Sequence, residues 1–247
     1  MKKHLLTYVL LFLVLETLGL TFARQGQNTS NNVKDPLKQE QERKSRFPTA
    51  EYEEPDLADA AKNRIRKEKG LRHNDFQIVD PNPPAWAAEV VATVHDAMNF
   101  PALPVSESEY IVIGKVTAAE AHVSANKKNV YSEFTVSISK VFKTATSSVV
   151  DGSEIAVSRN GGFVKYPNGK RVLYRTHGFN MPAVGENYLF FLTSKKNQDL
   201  TILTAYVLGV DGVEALDQSE LFQALEGLTE EALFQKLNES LVKSSSY

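Results

Sequence analysis

Between residues 130 and 142 polar and apolar side chains alternate: Phe134, Val136 and Ile138 are apolar, while Glu133, Thr135, Ser137 and Ser139 are polar. A period of two puts each set on its own face of an extended ribbon, so the run predicts a strand with one buried face. Comparable runs at 110–116, 154–158, 163–166, 171–174, 188–193 and 201–210 predict more short strands. Tyr188-Leu189-Phe190-Phe191-Leu192 is apolar throughout, which predicts a central strand covered on both sides. Asn160-Gly161-Gly162, Asn168-Gly169 and Asp211-Gly212 supply the positive φ that tight hairpins demand. With Asn168-Gly169 at the centre of a two-residue turn, Phe163 is expected opposite Tyr174 and Lys165 opposite Val172.

On either side of this region the period lengthens. Asp56 is placed to cap a charged helix over 57–69, with Arg64, Arg66, Lys67 and Lys69 toward its end and Gly70 as its stop. Prolines 81, 83, 84, 101 and 104 interrupt any long element, so 80–104 is expected to be an extended lead-in with one short helix. Near the C-terminus, Asp217 or Ser219 starts a short helix through Phe222 and Leu225 that ends at Gly227. Thr229 starts another, which carries Leu233, Phe234, Leu237 and Leu241 on one side. Residues 24–54 are rich in Gln, Asn, Ser, Lys and Glu and nearly devoid of aliphatic side chains, the composition of a disordered tether. The expected plan is a leader at 1–23, the tether at 24–54, a charged helix and proline-rich lead-in at 55–105, a β-domain at 106–218 and helices packed on it at 219–242.

The leader rests on Lys2 and Lys3 before an apolar run from Leu5 to Leu15, then Thr21-Phe22-Ala23 before Arg24. A cleavable signal peptide has this order, with the cut between Ala23 and Arg24. Glu16 interrupts the apolar run, which a membrane span of roughly 20 residues would not tolerate at its centre. An exported protein, periplasmic or secreted, is therefore expected, with no transmembrane anchor after cleavage. The chain has no cysteine, which excludes disulfides, zinc–thiolate sites, thiol nucleophiles and a lipidated cysteine. Removing the leader changes the formal charge from −2 to −3, so bulk charge favours neither nucleic acid nor membrane as a partner.

Three segments carry a resemblance: Ile111-Val112-Ile113-Gly114-Lys115-Val116, Phe134-Thr135-Val136 leading to Lys140-Val141-Phe142-Lys143, and Val184-Gly185-Glu186-Asn187-Tyr188-Leu189-Phe190-Phe191. Over about 108–216 the chain resembles the netrin-like domain of tissue inhibitors of metalloproteinases, as do uncharacterised exported bacterial proteins. The resemblance implies a small OB-type β-barrel. In those inhibitors an N-terminal cysteine reaches the protease zinc and disulfides hold the site. This chain has neither, so the resemblance implies a fold and not that inhibitory mechanism.

No HExxH, GxSxG, GxxxxGK[ST] or GxGxxG motif occurs. His73, His95, His122 and His177 lack i, i+4 spacing, and no metal or cofactor is expected. His95-Asp96 reads as structural, because sequence neighbours point apart. The segment 159–185 stands out: Arg159, Lys165, Lys170, Arg171 and Arg175, with His177, lie among Phe163, Tyr166, Tyr174 and Phe179 without one Asp or Glu. Cations interleaved with rings suit anionic or ring-bearing polymers. The candidate binding set is Arg159, Lys165, Lys170, Arg171, Tyr174, Arg175 and His177, facing an anionic glycan, a lipid headgroup or an acidic protein. Equally open is an exposed edge hairpin whose cations block strand pairing. Two further readings stay open, a protease inhibitor acting through 118–129 and a hydrolase assembled only in three dimensions around His122 or His177.

Overall fold

The computed structural model describes residues 36–93, 100–195 and 199–244. The signal-peptide and cleavage assignments and His95-Asp96 lie outside the described residues. Strands make up 38% of the chain and helices 20%, a mainly β architecture with two sheets and short C-terminal helices.

The larger sheet is built from β3 (Tyr110–Val123), β4 (Val130–Lys143), β5 (Glu154–Asn160), β8 (Asn187–Lys195), β9 (Asp199–Gly209) and β10 (Gly212–Ala215). Its order is β10-β9-β5-β4-β3-β8, and β8 also pairs with β9, so the ladder returns to a strand it has already used. All of these pairings are antiparallel except β5 with β9, which is parallel at Val157↔Leu200 and Ser158↔Thr201. Inside lie Val112, Val116, Phe134, Val136, Val157, Tyr188, Phe190, Leu192 and Ala205. The alternate residues Ile111, Leu189, Phe191 and Tyr206 face outward into a second core. That second core explains why β8 is apolar throughout Tyr188–Leu192: it is paired on both edges and covered on both faces.

The outer cover is α3 (Glu220–Gln223) and α4 (Glu230–Ser244), which bring Phe222, Leu225, Leu233 and Leu237 against the sheet. Thr229 accepts from Ala232 N and so caps α4. The cap of α3 is Ser219, which makes no side-chain cap bond. Asp217, the other candidate, is withdrawn from capping by a buried partner described below.

The smaller sheet has the order β1-β6-β7-β2, from β1 (Thr49–Glu51), β2 (Glu89–Ala92), β6 (Gly162–Lys165) and β7 (Arg171–Thr176). Here the structure corrects the expected plan. Residues 36–54 are not a tether throughout: they form α1 (Pro36–Ser45) and β1, with Ala50 buried against Val164 and Phe47 in the main core. The proline-rich lead-in forms a strand where a short helix was expected, because β7 offers a free edge that β2 joins in parallel. The boundary at 106 therefore dissolves. The charged helix is α2 (Ala60–Arg72), three residues later than expected, capped by Asp59 through Ala61 N and Lys62 N. Gly70 does not stop it; the glycine is buried, its carbonyl taking the amide of Ala125 at 3.1 Å. The strand at 110–116 continues to Val123, so the expected loop 118–129 shrinks to its second half.

Candidate functional site

The hairpin β6–β7 does not have the turn expected of it. Tyr166 O accepts from Gly169 N at 2.8 Å and Tyr166 N donates to Lys170 O at 2.8 Å, closing a three-residue loop of Pro167, Asn168 and Gly169. Proline fixes φ near −65°, which suits the first corner of a type I turn, and Gly169 at φ +82° completes it. The extra residue shifts the register by one. Phe163 lies opposite Leu173, and Lys165 opposite Arg171, in place of the expected partners.

This register separates the seven candidate residues. Arg159 is 4% exposed and does not belong to a surface at all. Its guanidinium is paired with buried Asp217 at 2.6 and 3.0 Å and donates to Asn180 O at 2.7 Å. Tyr174 is also buried, its hydroxyl 2.7 Å from that of Tyr166. Burial pushes both phenols above the ordinary tyrosine range. Lys170 donates to the carbonyls of Pro83 and Pro84. Arg175 is paired with Glu89 and lies 3.9 Å from Glu40. Lys165, Arg171 and His177 remain exposed, with Lys165 2.8 Å from Glu51.

The hairpin is thus neither a bare basic ribbon nor an exposed edge. Its own sequence lacks carboxylates, but β1 and β2 flank it on either side and bring Glu51 and Glu89. Burial opposes the charge of Glu89, yet hydrogen bonds from Lys44 and Arg175 outweigh it and hold the carboxyl below its usual range. What the sequence reading missed is Trp86. It is 85% exposed on a turn closed by Ala87 N to Pro84 O, between Lys170's contacts with Pro83 and Pro84 and the Ala88 carbonyl that accepts from Leu173 N. Arg171 lies on the intervening stretch of β7, its guanidinium carbon 3.6 Å from the ring centre of Phe163. The signal available was a lone tryptophan among prolines.

A second cluster sits under α2. His73 stacks on Tyr131 with ring centres 3.7 Å apart, and His122 tilts against the same ring at 5.5 Å. His122 Nδ1 is 3.4 Å from Glu54, and its Nε2 is 3.7 Å from Glu120 and 3.9 Å from Glu133. Lys69 of α2 meets Glu133 at 2.6 Å, and Arg72 is paired with Asp199. Burial disfavours the imidazolium, but Glu54, Glu133 and Glu120 together outweigh it and raise the pKa above the ordinary histidine value. Among the described residues, the side chains around His122 are thus carboxylates and a phenol. The shortened loop after β3 is also held down: Ala125 N bonds Gly70 O, and Asn126 bonds Asn74 through both its backbone and its side chain.

This cluster has a pH consequence. A raised histidine pKa contributes stability that is fully present below the unfolded value near 6.5 and is lost as pH rises through the folded value. Urea midpoints measured from about pH 5 to about pH 8 should therefore fall more steeply for the native chain than for His122→Gln. Parallel curves for the two proteins would refute the assignment.

Compared with known protein families and with curated proteins, the chain matches none.

Proposed function

We propose that this is an exported, non-enzymatic binding protein, built on a netrin-like OB-type barrel, that holds an anionic glycan on the face around Trp86 and Arg171. The barrel reading is supported by the pairing order β3-β4-β5-β9-β8 and back to β3, with one parallel pair between β5 and β9, the third and fifth of these strands in chain order. A five-stranded OB barrel has this connectivity. Export rests on the leader sequence.

The observation that carries the ligand reading is the 85% exposure of Trp86 on the turn that leads into β2. Exposed Arg171 lies on the neighbouring stretch of β7, its guanidinium turned across Phe163 to donate to Thr49 Oγ1 at 2.7 Å. A tryptophan left in water forgoes a large burial term, and tryptophan with arginine dominates binding hot spots. Pro83 and Pro84 stiffen the turn, so little order remains to be imposed when a ligand arrives. An indole face takes a sugar ring, and the guanidinium takes its sulfate or carboxylate. Because Arg175 and Lys170 are already engaged, charge alone is a smaller part of the attraction than the hairpin's sequence suggests.

The wild-type protein should be retained on a heparin matrix and released by salt. Trp86→Ala and Arg171→Glu should each weaken retention by about tenfold, a loss typical of a hot-spot residue, with unchanged thermal unfolding. Equal retention of both variants, or none of the wild type, would sink the reading. Binding to phosphatidylglycerol vesicles but not to heparin would reassign the face to lipid headgroups.

A further inference from the structure

The segment between Tyr52 and Ile78, which carries α2, is anchored at both ends. Tyr52 N donates to Lys165 O at 2.8 Å, and its ring stacks on Tyr166 with centres 4.9 Å apart. Ile78 N and Val79 N each donate to Lys128 O at 2.8 Å, and Val79 is buried in a core with Val164 and Tyr174. Between these anchors the helix is held differently. Among the described residues no side chain of α2 joins any of the three cores, and its large apolar residues Ile65 and Leu71 are exposed. Most helical stability in proteins comes from packing an apolar face, and α2 lacks that support.

The polar bonds of the segment fall into two groups. One is internal and travels with the helix: Arg66 with Glu54 at 3.3 Å and with Pro55 O at 2.7 Å, Lys67 with Asp56 at 2.9 Å, and Leu57 N with Asn63 at 3.3 Å. The other crosses to the barrel, mostly from the end of α2. Lys69 meets Glu133 at 2.6 Å and Arg72 meets Asp199; Ala125 N donates to Gly70 O at 3.1 Å, Asn129 Nδ2 to His73 O at 3.1 Å, and Asn126 to Asn74. Glu54 beside His122 and the stack of His73 on Tyr131 complete this latch. Its ion pairs are partly exposed to solvent, where salt screens them. A cavity of ≈ 390 Å³ lies against Lys67, Gly70 and Leu71, and another of ≈ 650 Å³ against Lys69, Glu133 and Asp199, so the end of α2 stands between the two.

From this we infer that residues 53–77 form a strap that lifts from the barrel as a unit, with salt as its release, while the barrel stays folded. Closed, the strap caps the ring of Tyr131 and pairs the carboxylates of Glu133 and Asp199. Lifted, it joins the two cavities into one trough with that ring as its floor. The strap is a separate cooperative unit of low stability, hinged at Tyr52 and Val79.

Hydrogen exchange on the full chain should show amides 62–72 exchanging faster than those of β4, and about tenfold faster at about 0.5 M than at about 0.05 M sodium chloride, with β4 unchanged. Tyr131, buried under His73, should be nitrated by tetranitromethane with the same salt dependence. A Cβ built on Gly70 lies 3.6 Å from Ala125 Cβ, within the reach of a disulfide, and the chain has no cysteine of its own. Oxidised Gly70→Cys with Ala125→Cys should therefore abolish the salt dependence of both readouts, and reduction should restore it. Lys69→Gln with Arg72→Gln should raise both readouts at low salt, which keeps the test decisive even where the disulfide fails to form. Exchange of α2 and β4 at one common rate, indifference to salt, fast exchange of α2 with Tyr131 unmodified, or a closed disulfide that changes nothing would each overturn the inference.

Discussion

Asp217→Ala should destabilise the chain by about 3–5 kcal/mol, the usual cost of breaking a buried ion pair from one side. Arg159 and Asp217 are 4% and 1% exposed, and the guanidinium meets the carboxylate through both terminal nitrogens. Nη1 also donates to Asn180 O, and Nη2 to Leu203 O at 3.2 Å. Asn180 in turn gives its amide to Asp217 at 3.1 Å and its side chain to Leu216 O at 2.8 Å. The pair therefore ties together the end of β5, the segment after β7, the middle of β9 and the run after β10. Without the carboxylate, a guanidinium would be left in a dry site with carbonyl partners only. Urea unfolding should show the loss in the midpoint, and the double replacement Arg159→Met with Asp217→Leu should recover much of it. Lys165→Ala removes an exposed pair and should change stability by less than about 1 kcal/mol. A loss for Asp217→Ala no larger than that for Lys165→Ala would contradict the role given to the pair.

That arginine also shows where the sequence could and could not be read. Strands were legible because burial follows a period of two along each chain segment, and β8 announced its two covered faces by the unbroken apolar run from Tyr188 to Leu192. Sheet membership was not. Whether Arg159 reaches solvent depends on Asp217, 58 residues away, and no local pattern encodes that distance. The same holds for the carboxylates that neutralise the hairpin: Glu51 and Glu89 lie in segments of three and four residues, too short to read as strands, and they become strands only because β6 and β7 present edges for them. The turn failed for a different reason. Asn168-Gly169 is a strong two-residue signal, but the preceding Pro167 fits the first corner of a type I turn, and a single added loop residue moved every cross-strand partner.

These corrections change what a binding face can be in this protein. Five cations in an acid-free segment suggested a field. The fold pairs Arg159, Lys165 and Arg175 with carboxylates and ties Lys170 to two carbonyls. That leaves the exposed indole of Trp86 and the Arg171 guanidinium, stacked on Phe163 and bonded to Thr49, without a carboxylate partner among the described residues. The glycan reading then depends on ring contact, which salt screens little, together with a charge contact, which salt screens strongly. A salt titration of the heparin interaction should accordingly be shallower for Arg171→Glu than for Trp86→Ala.

Gly161→Ala is the other substitution expected to cost the fold heavily. Between Asn160, paired with Tyr131 in the larger sheet, and Gly162, paired with Tyr174 in the smaller one, the chain has a single residue in which to change sheets. Gly161 does this at φ +117° and Gly162 at φ +148°, conformations in which a Cβ is strained, and each such residue costs of order 1–3 kcal/mol when it is not glycine. Space adds to the strain. A Cβ on Gly161 would lie 2.9 Å from Met181 Cε and 3.0 Å from the carbonyl oxygen of Tyr174. The methionine tip can move, but the carbonyl is fixed because β7 is paired on both sides, to β6 and to β2. The residue is further pinned by its amide on Val130 O and by Ser132 Oγ, which donates to its carbonyl at 2.7 Å. Gly152 at φ +81° and Gly169 at φ +82° have nothing within 4 Å of a built Cβ, so alanine there incurs the backbone strain alone. The expected order of urea midpoints is native, then Gly152→Ala and Gly169→Ala together, then Gly161→Ala clearly lowest. If Gly161→Ala were no less stable than Gly152→Ala, the crossing between the sheets would have slack that the contacts around Tyr174 and Met181 do not allow.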